Sequence, residues 1–129
     1  MKLQQIDHLA LTCRAPEVSK DWYVTVLGFE HVHASRWKGV PLFLKLGSTY
    51  LALFPHRQDA QERPGTGPRL DHFALRAATY ADFKDAQDRL IELGITFAFQ
   101  DHELAHSIYF SDPDGNRVEI TTYDLQGRV

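Results

Sequence analysis

Leu70-Asp71-His72-Phe73-Ala74-Leu75 echoes Ile6-Asp7-His8-Leu9-Ala10-Leu11, and the segments after each copy come in the same order. A helical segment follows, closing at Leu27-Gly28 in the first copy and Leu93-Gly94 in the second, and then three apolar-alternating segments. A repeat of about 65 residues requires one supersecondary unit to be built twice, which excludes most folds open to a chain of this size. In the first copy, residues 6–12 read as a strand. Pro16 suits the first turn of a helix, and Val18, Trp22 and Val26 recur at helical spacing, which places Trp22 in the core. Gly28 is the expected cap, and residues 29–37, 40–46 and 49–54 read as strands joined by turns at Lys38-Gly39 and Gly47-Ser48. In the second copy, Thr79 to Asp82 reads as a capping box for a helix with Tyr80, Phe83, Ala86 or Gln87, Leu90 and Leu93 inside. Strands follow at residues 95–100, 107–111 and 117–123. The expected organisation is a single domain over residues 1–129, with modules 4–56 and 70–124 joined by a polar, Pro/Gly-rich linker at 57–69.

The last segment carries a pattern of its own. Asp112-Pro113-Asp114-Gly115 has Pro and Gly where a type I turn wants them. Val118 and Ile120 then alternate with Arg117, Glu119 and Thr121, as in a strand with one buried face. A carboxylate in mid-strand is disfavoured, so Glu119 is either on a solvated face or held for a purpose.

Parity links it to the histidines. A lone His on a strand is usually an ordinary surface or core residue, but His8 and His72 hold equivalent places in the repeat. If Leu9, Leu11, Phe73, Leu75, Val118 and Ile120 face the helices, the opposite face carries His8, His72 and Glu119. Two curved sheets enclosing a cup would bring the three together. Two imidazoles and a carboxylate with open positions suit non-haem Fe2+, and also Mn2+, Co2+ or Zn2+.

The remaining composition is that of an ordinary soluble domain, with 43% hydrophobic and 24% charged residues. A net charge of −3 argues against nucleic acid or an anionic membrane as a partner. The one cysteine, Cys13, allows no internal disulfide. Met1 to His8 has no signal-peptide character, and no apolar run approaches a membrane span. A cytoplasmic location is therefore expected.

The paired Asp-His strands, Tyr23-Val24-Thr25-Val26-Leu27-Gly28-Phe29, and Tyr109-Phe110-Ser111-Asp112-Pro113-Asp114-Gly115-Asn116 running into Glu119 resemble the vicinal-oxygen-chelate superfamily. That superfamily includes glyoxalase I, fosfomycin-resistance and bleomycin-binding proteins, and extradiol dioxygenases. The resemblance implies an α+β fold, two βαβββ modules forming a curved mixed-sheet cup with helices outside. It maps the metal ligands onto His8, His72 and Glu119, with Fe2+ favoured and Mn2+, Zn2+, Ni2+ or Co2+ as alternatives. It also implies a small-molecule substrate and a homodimer.

Within the superfamily, glyoxalase I has a fourth ligand where this chain aligns Ala52, which counts against a glyoxalase reaction. In extradiol enzymes a His seven residues before a Tyr, then a DP turn and the ligand Glu, recur near the substrate oxygens. His102 and Tyr109 match that spacing and are the candidate catalytic pair, although Gln100 departs from the pattern and no second acid–base His is apparent near Thr49 and Tyr50. Other readings remain open here: His102 and His106 as surface residues flanking a strand, and Tyr109 as core. Arg76 and Arg117 share the cup-facing parity and could bind an anionic substrate, or simply reach solvent. Tyr50 and Phe54 are candidate apolar wall, and the strand carrying His31, His33 and Trp37 is a candidate dimer seam. An extradiol-type dioxygenase acting on a catechol-like compound is the first expectation. Lyase or thiol-transfer chemistry is the second, and a metal-free binding protein the third.

Overall fold

The computed structural model describes residues 1–56 and 69–128, so all of the expected linker but Arg69 lies outside the described residues. The chain forms two compact units, Met1–Pro64 and Gly65–Val129. Each is a βαβββ module, and two four-stranded mixed sheets with one helix apiece are the result.

The first unit runs β1 (Leu9–Cys13), α1 (Pro16–Leu27), β2 (Glu30–Val32), β3 (Leu42–Leu46) and β4 (Thr49–Pro55), in sheet order β1-β4-β3-β2. The second runs β5 (Phe73–Arg76), α2 (Tyr80–Glu92), β6 (Ala98–Asp101), β7 (His106–Ser111) and β8 (Arg117–Thr122), in order β5-β8-β7-β6. In both, the first and last strands pair in parallel and the rest are antiparallel. No helix of the described residues is long and apolar enough to cross a membrane.

Local chemistry sets the element ends. Gly28, at φ 79°, closes α1, with Gly28 N–H donating to Val24 O at 3.2 Å and Phe29 N–H to Tyr23 O at 3.1 Å. Thr79 Oγ1 accepts from Asp82 N–H at 3.0 Å and opens α2. Gly47, at φ 58°, makes the two-residue turn between β3 and β4, where Leu46 pairs with Thr49.

One face of each sheet packs on its helix. Leu11, Leu42, Leu44, Leu51 and Leu53 are buried in the first unit; Phe83, Leu90, Ile108, Phe110, Val118 and Ile120 are buried in the second. Each such side chain contributes about 1.5–3 kcal/mol by leaving water. The inward face of α2 is the expected one.

Three local expectations need correction. The buried side chains of α1 are Ser19 and Tyr23, while Val18 is exposed and Trp22 half-buried, edge-on to Tyr23 at 4.9 Å. The small Ser19 lets the helix approach its sheet, and Tyr23 fills the space against Phe29, so the buried stripe is turned by one residue. β2 ends at Val32 instead of Trp37, because His33, Trp37 and Lys38 all adopt left-handed backbone (φ 56°, 53° and 54°) and turn the chain. β1 begins at Leu9 and β5 at Phe73, so His8 and His72 each sit one residue ahead of a strand, where the parallel ladder has not begun.

Candidate functional site

The site of the second unit starts from the hairpin between β7 and β8. Gly115 N–H donates to Asp112 O at 3.1 Å, and Asp112 Oδ1 accepts from Asp114 N–H at 2.9 Å and Asn116 N–H at 2.8 Å. Asn116 Nδ2–H adds a bond of 2.9 Å to Asp112 Oδ2, and Gly115 supplies the left-handed residue at φ 84°. This tight loop fixes the register: Ser111 faces Arg117, Tyr109 faces Glu119, and Ser107 faces Thr121. Ala74 of β5 lies across from Glu119 on its other side. By strand alternation, Ser107, Tyr109, Ser111, Arg117, Glu119 and Thr121 share the face away from α2.

His72 and Glu119 meet on that face, Nε2 and Oε1 being 2.9 Å apart. Two donors each about 2.1 Å from one ion and at right angles to each other are about 3 Å apart, so this pair fits adjacent positions on a single divalent metal. The rest of each side chain is held. His72 Nδ1 lies 2.6 Å from Asp71 Oδ2, which leaves Nε2 as the forward atom. The hydrogen bond from His72 in turn holds the Asp71 carboxyl below its ordinary value. Ser107 Oγ–H donates to the second oxygen of the buried Glu119 at 2.7 Å and lies 2.9 Å from Thr121 Oγ1.

Tyr109 Oη lies 3.0 Å from His102 Nε2, and the Tyr109 ring stands edge-on to His72 at 5.6 Å. Burial raises the Tyr109 phenol above its ordinary value and the neighbouring Glu119 carboxylate adds to that, while Arg117 opposes it. The phenol is therefore protonated at neutral pH, and when His102 carries its proton on Nδ1 the phenol can donate to His102 Nε2. The Arg117 guanidinium sits 4.3 Å from the Tyr109 ring centroid. Tyr109 and Arg117 also line an open groove of ≈ 690 Å³, together with Ala98, Ser111 and Gly115.

His8 belongs to the first unit. It repeats the local arrangement of His72: its Nδ1 is 2.9 Å from Asp7 Oδ2, and it shares a face with Ala52, Phe43 and Tyr50. Its surroundings are aromatic, with Phe43 5.7 Å from His8 and 5.5 Å from Tyr50, and with His33 and Trp37 also against Phe43. Ala52 pairs with Ala10 as Glu119 pairs with Ala74, so the repeat places alanine where the second unit has its carboxylate. Among the described residues, no three His, Cys, Asp or Glu side chains form a group able to hold an ion.

Several residues have roles that the sequence reading did not give them. Asp7 and Asp71 orient the histidines that follow them, and the duplicated Asp-His dipeptide was the available signal. Ser107 steadies Glu119, and its parity with Tyr109 pointed there. His106 is not a surface residue: it is buried on the helix side of its sheet, with Nδ1 2.9 Å from Tyr80 Oη and Nε2 3.3 Å from Arg128 Nη1. Arg76 stacks on Tyr123 at 4.6 Å and does not line the groove.

Two βαβββ units, with an imidazole–carboxylate donor pair on the sheet face turned away from the helix, define the vicinal-oxygen-chelate class of protein. The chain belongs to the Glyoxalase/Bleomycin resistance protein/Dioxygenase superfamily, whose family model matches residues 5–120. It is 32% identical over 123 residues to catechol-2,3-dioxygenase of Bacillus subtilis (strain 168), a match covering 89% of this chain but only 40% of that protein. It is 29% identical over 127 residues to glutathione transferase FosA of Serratia marcescens, covering 98% of this chain and 86% of that one. The solved lactoylglutathione lyase of Agrobacterium tumefaciens superposes with a TM-score of 0.77 at 24% identity, over 99% of this chain and 100% of the other, a likeness of fold. Enzymes of this superfamily typically use divalent metals and act on small molecules.

Proposed function

We propose that this chain is a divalent-metal enzyme that chelates its substrate through two adjacent oxygens, and that its reaction is extradiol-type cleavage of a catechol-like compound. The observation that supports this most is the Tyr109–His102 hydrogen bond of 3.0 Å, on a strand whose Tyr109 is paired directly with Glu119. The similarity to a catechol-2,3-dioxygenase agrees with it.

His72 and Glu119 would hold the metal, with His8, the equivalent residue of the repeat, as the third ligand. Fe2+ is favoured over Mn2+, Zn2+, Ni2+ and Co2+ for the oxygen chemistry. Bound there, the metal supplies Lewis-acid polarisation and positions for two vicinal oxygens. The protein's own groups do the rest. Asp71 keeps the His72 ring turned so that Nε2 leads, and Ser107 keeps one oxygen of Glu119 occupied so that the other is presented. With His102 protonated on Nδ1, Tyr109 Oη would accept a hydrogen bond from a substrate hydroxyl while directing its own proton at His102 Nε2, 3.0 Å away. A substrate proton can thus move to Tyr109 as the tyrosine proton moves to His102, and return by the same route. A cytoplasmic homodimer completes the proposal; a monomer by light scattering at micromolar concentration would remove the dimer from it.

A second reading, metal-assisted thiol transfer, is favoured by one observation: the chain covers 86% of FosA but 40% of the dioxygenase. One preparation separates the two. After anaerobic Fe2+ reconstitution, O2 uptake matched to ring-cleavage product across a catechol panel is the expected result. Glutathione consumption with fosfomycin by the Mn2+ or Zn2+ form, with no O2 uptake on any catechol, would replace the first reading by the second.

A further inference from the structure

We infer that Arg117 is an anion-recognition residue, and that the substrate is a vicinal dioxygen compound carrying a carboxylate at the far side of its ring. This deepens the catechol reading just given and rests on it.

Four observations converge. Arg117 and Glu119 are two residues apart on one strand face, about 6.6 Å along the strand. That is comparable to the width of an aromatic ring with oxygens at one end and a carboxylate at the other. The guanidinium is not loose: it rests 4.3 Å from the ring centroid of Tyr109, which is itself buried and hydrogen-bonded to His102. Among the described residues no salt bridge joins it to a carboxylate, the Asp71 carboxylate feeling its charge only from further off. Its donors are therefore available to an outside anion, and a planar guanidinium is the group suited to hold a carboxylate by two parallel hydrogen bonds. Finally, Arg117 lines a groove that Tyr109 and residues 95–98 also line, and Ser111, its partner in the β7–β8 ladder, lines it too and adds a hydroxyl donor.

The fold does not ask for an arginine here. Register equates Arg117, at the hairpin end of β8, with Tyr50 of β4, which carries no charge. A solvated arginine on an exposed strand end is the competing explanation, and it makes a different forecast.

The test is anaerobic titration calorimetry on the metal-loaded protein with three probes: catechol, 3,4-dihydroxybenzoate and benzoate. The wild type is expected to favour 3,4-dihydroxybenzoate over catechol by about 10–100-fold, the usual worth of a hydrogen bond to a charged group. It is also expected to bind benzoate weakly. Arg117→Met should bring that preference ratio close to one and abolish benzoate binding, and Arg117→Lys should recover part of both. A wild type that binds the two catechols equally, or an Arg117→Met protein that keeps the preference, would overturn the assignment. The failures are separable. Catechol that does not bind the loaded protein defeats the ring-cleavage reading, while benzoate binding that depends on Arg117 upholds the anion subsite even then. Benzoate that ignores the substitution defeats the subsite alone.

Discussion

Where β8 carries Glu119, β4 carries Ala52; where β7 carries Tyr109, β3 carries Phe43; and where β8 begins with Arg117, β4 has Tyr50. The two units thus hold the same register with different chemistry on the face away from the helix. In the first, His8 stands against Phe43, on which Tyr50, His33 and Trp37 also pack; in the second, His72 meets Glu119 and Tyr109, and Tyr109 in turn holds His102 and Arg117. The helix-side faces have not diverged in kind, since each must still bury leucine, isoleucine or phenylalanine against a helix. A repeat keeps what its core requires twice and is free to divide the rest between an ionic half and an aromatic half. Only the Asp-His dipeptide is common to both open faces.

The largest expected effect comes from erasing the ionic half. Glu119→Ala gives β8 the alanine of β4, and divalent-metal affinity should fall by more than about 100-fold, beyond the range for an outer partner, with turnover lost. Calorimetric titration checks it; full affinity in the variant would mean that the two halves do not differ in this way. Next, Tyr109→Phe gives β7 the aromatic of β3. It and His102→Ala should each lower turnover by roughly 10²–10⁴ while leaving the metal in place. Unchanged turnover on the true substrate would reduce Tyr109 to a wall residue like Phe43.

The comparison is sharpened by smaller changes. Asp71→Asn should weaken metal binding about 10–100-fold. Asp7→Asn should do the same if His8 is an equal ligand, and a loss confined to Asp71→Asn would show that the histidines are not equivalent. The smallest effect concerns the helix starts. α2 is capped by Thr79, whereas Ala15, ahead of α1, offers no side-chain bond. Thr79→Ala should cost about 1 kcal/mol and Ala15→Ser should add a few tenths, both read from urea unfolding midpoints.

Where the signal was local and backbone-driven, the sequence was readable. The Asp112–Gly115 turn, the Gly28 cap, the Thr79 cap and the Gly47-Ser48 hairpin each name their conformation through one or two residues. The repeat supplied module order, and parity supplied the helix-side face. Four things lay beyond that reach. The left-handed backbone of His33, Trp37 and Lys38 has no glycine to announce it, so β2 looked longer than it is. The buried stripe of α1 depended on how closely the helix approaches its sheet, which Ser19 decides. The side on which Tyr109 lies depended on the β7–β8 register, and the burial of His106 depended on Tyr80 across the unit.

The Asp112 loop has a consequence for how such a chain can change. Exposed loop tips usually accept insertions freely. Here the loop is closed by its own hydrogen bonds, and an insertion that slipped the register by one would turn Tyr109 toward the helix while Glu119 stayed. The hairpin therefore obeys a parity rule: a register slip by an odd number of residues inverts one wall of the site, and an even one slides it by a whole side-chain step. Diversification of this scaffold is steered away from that loop.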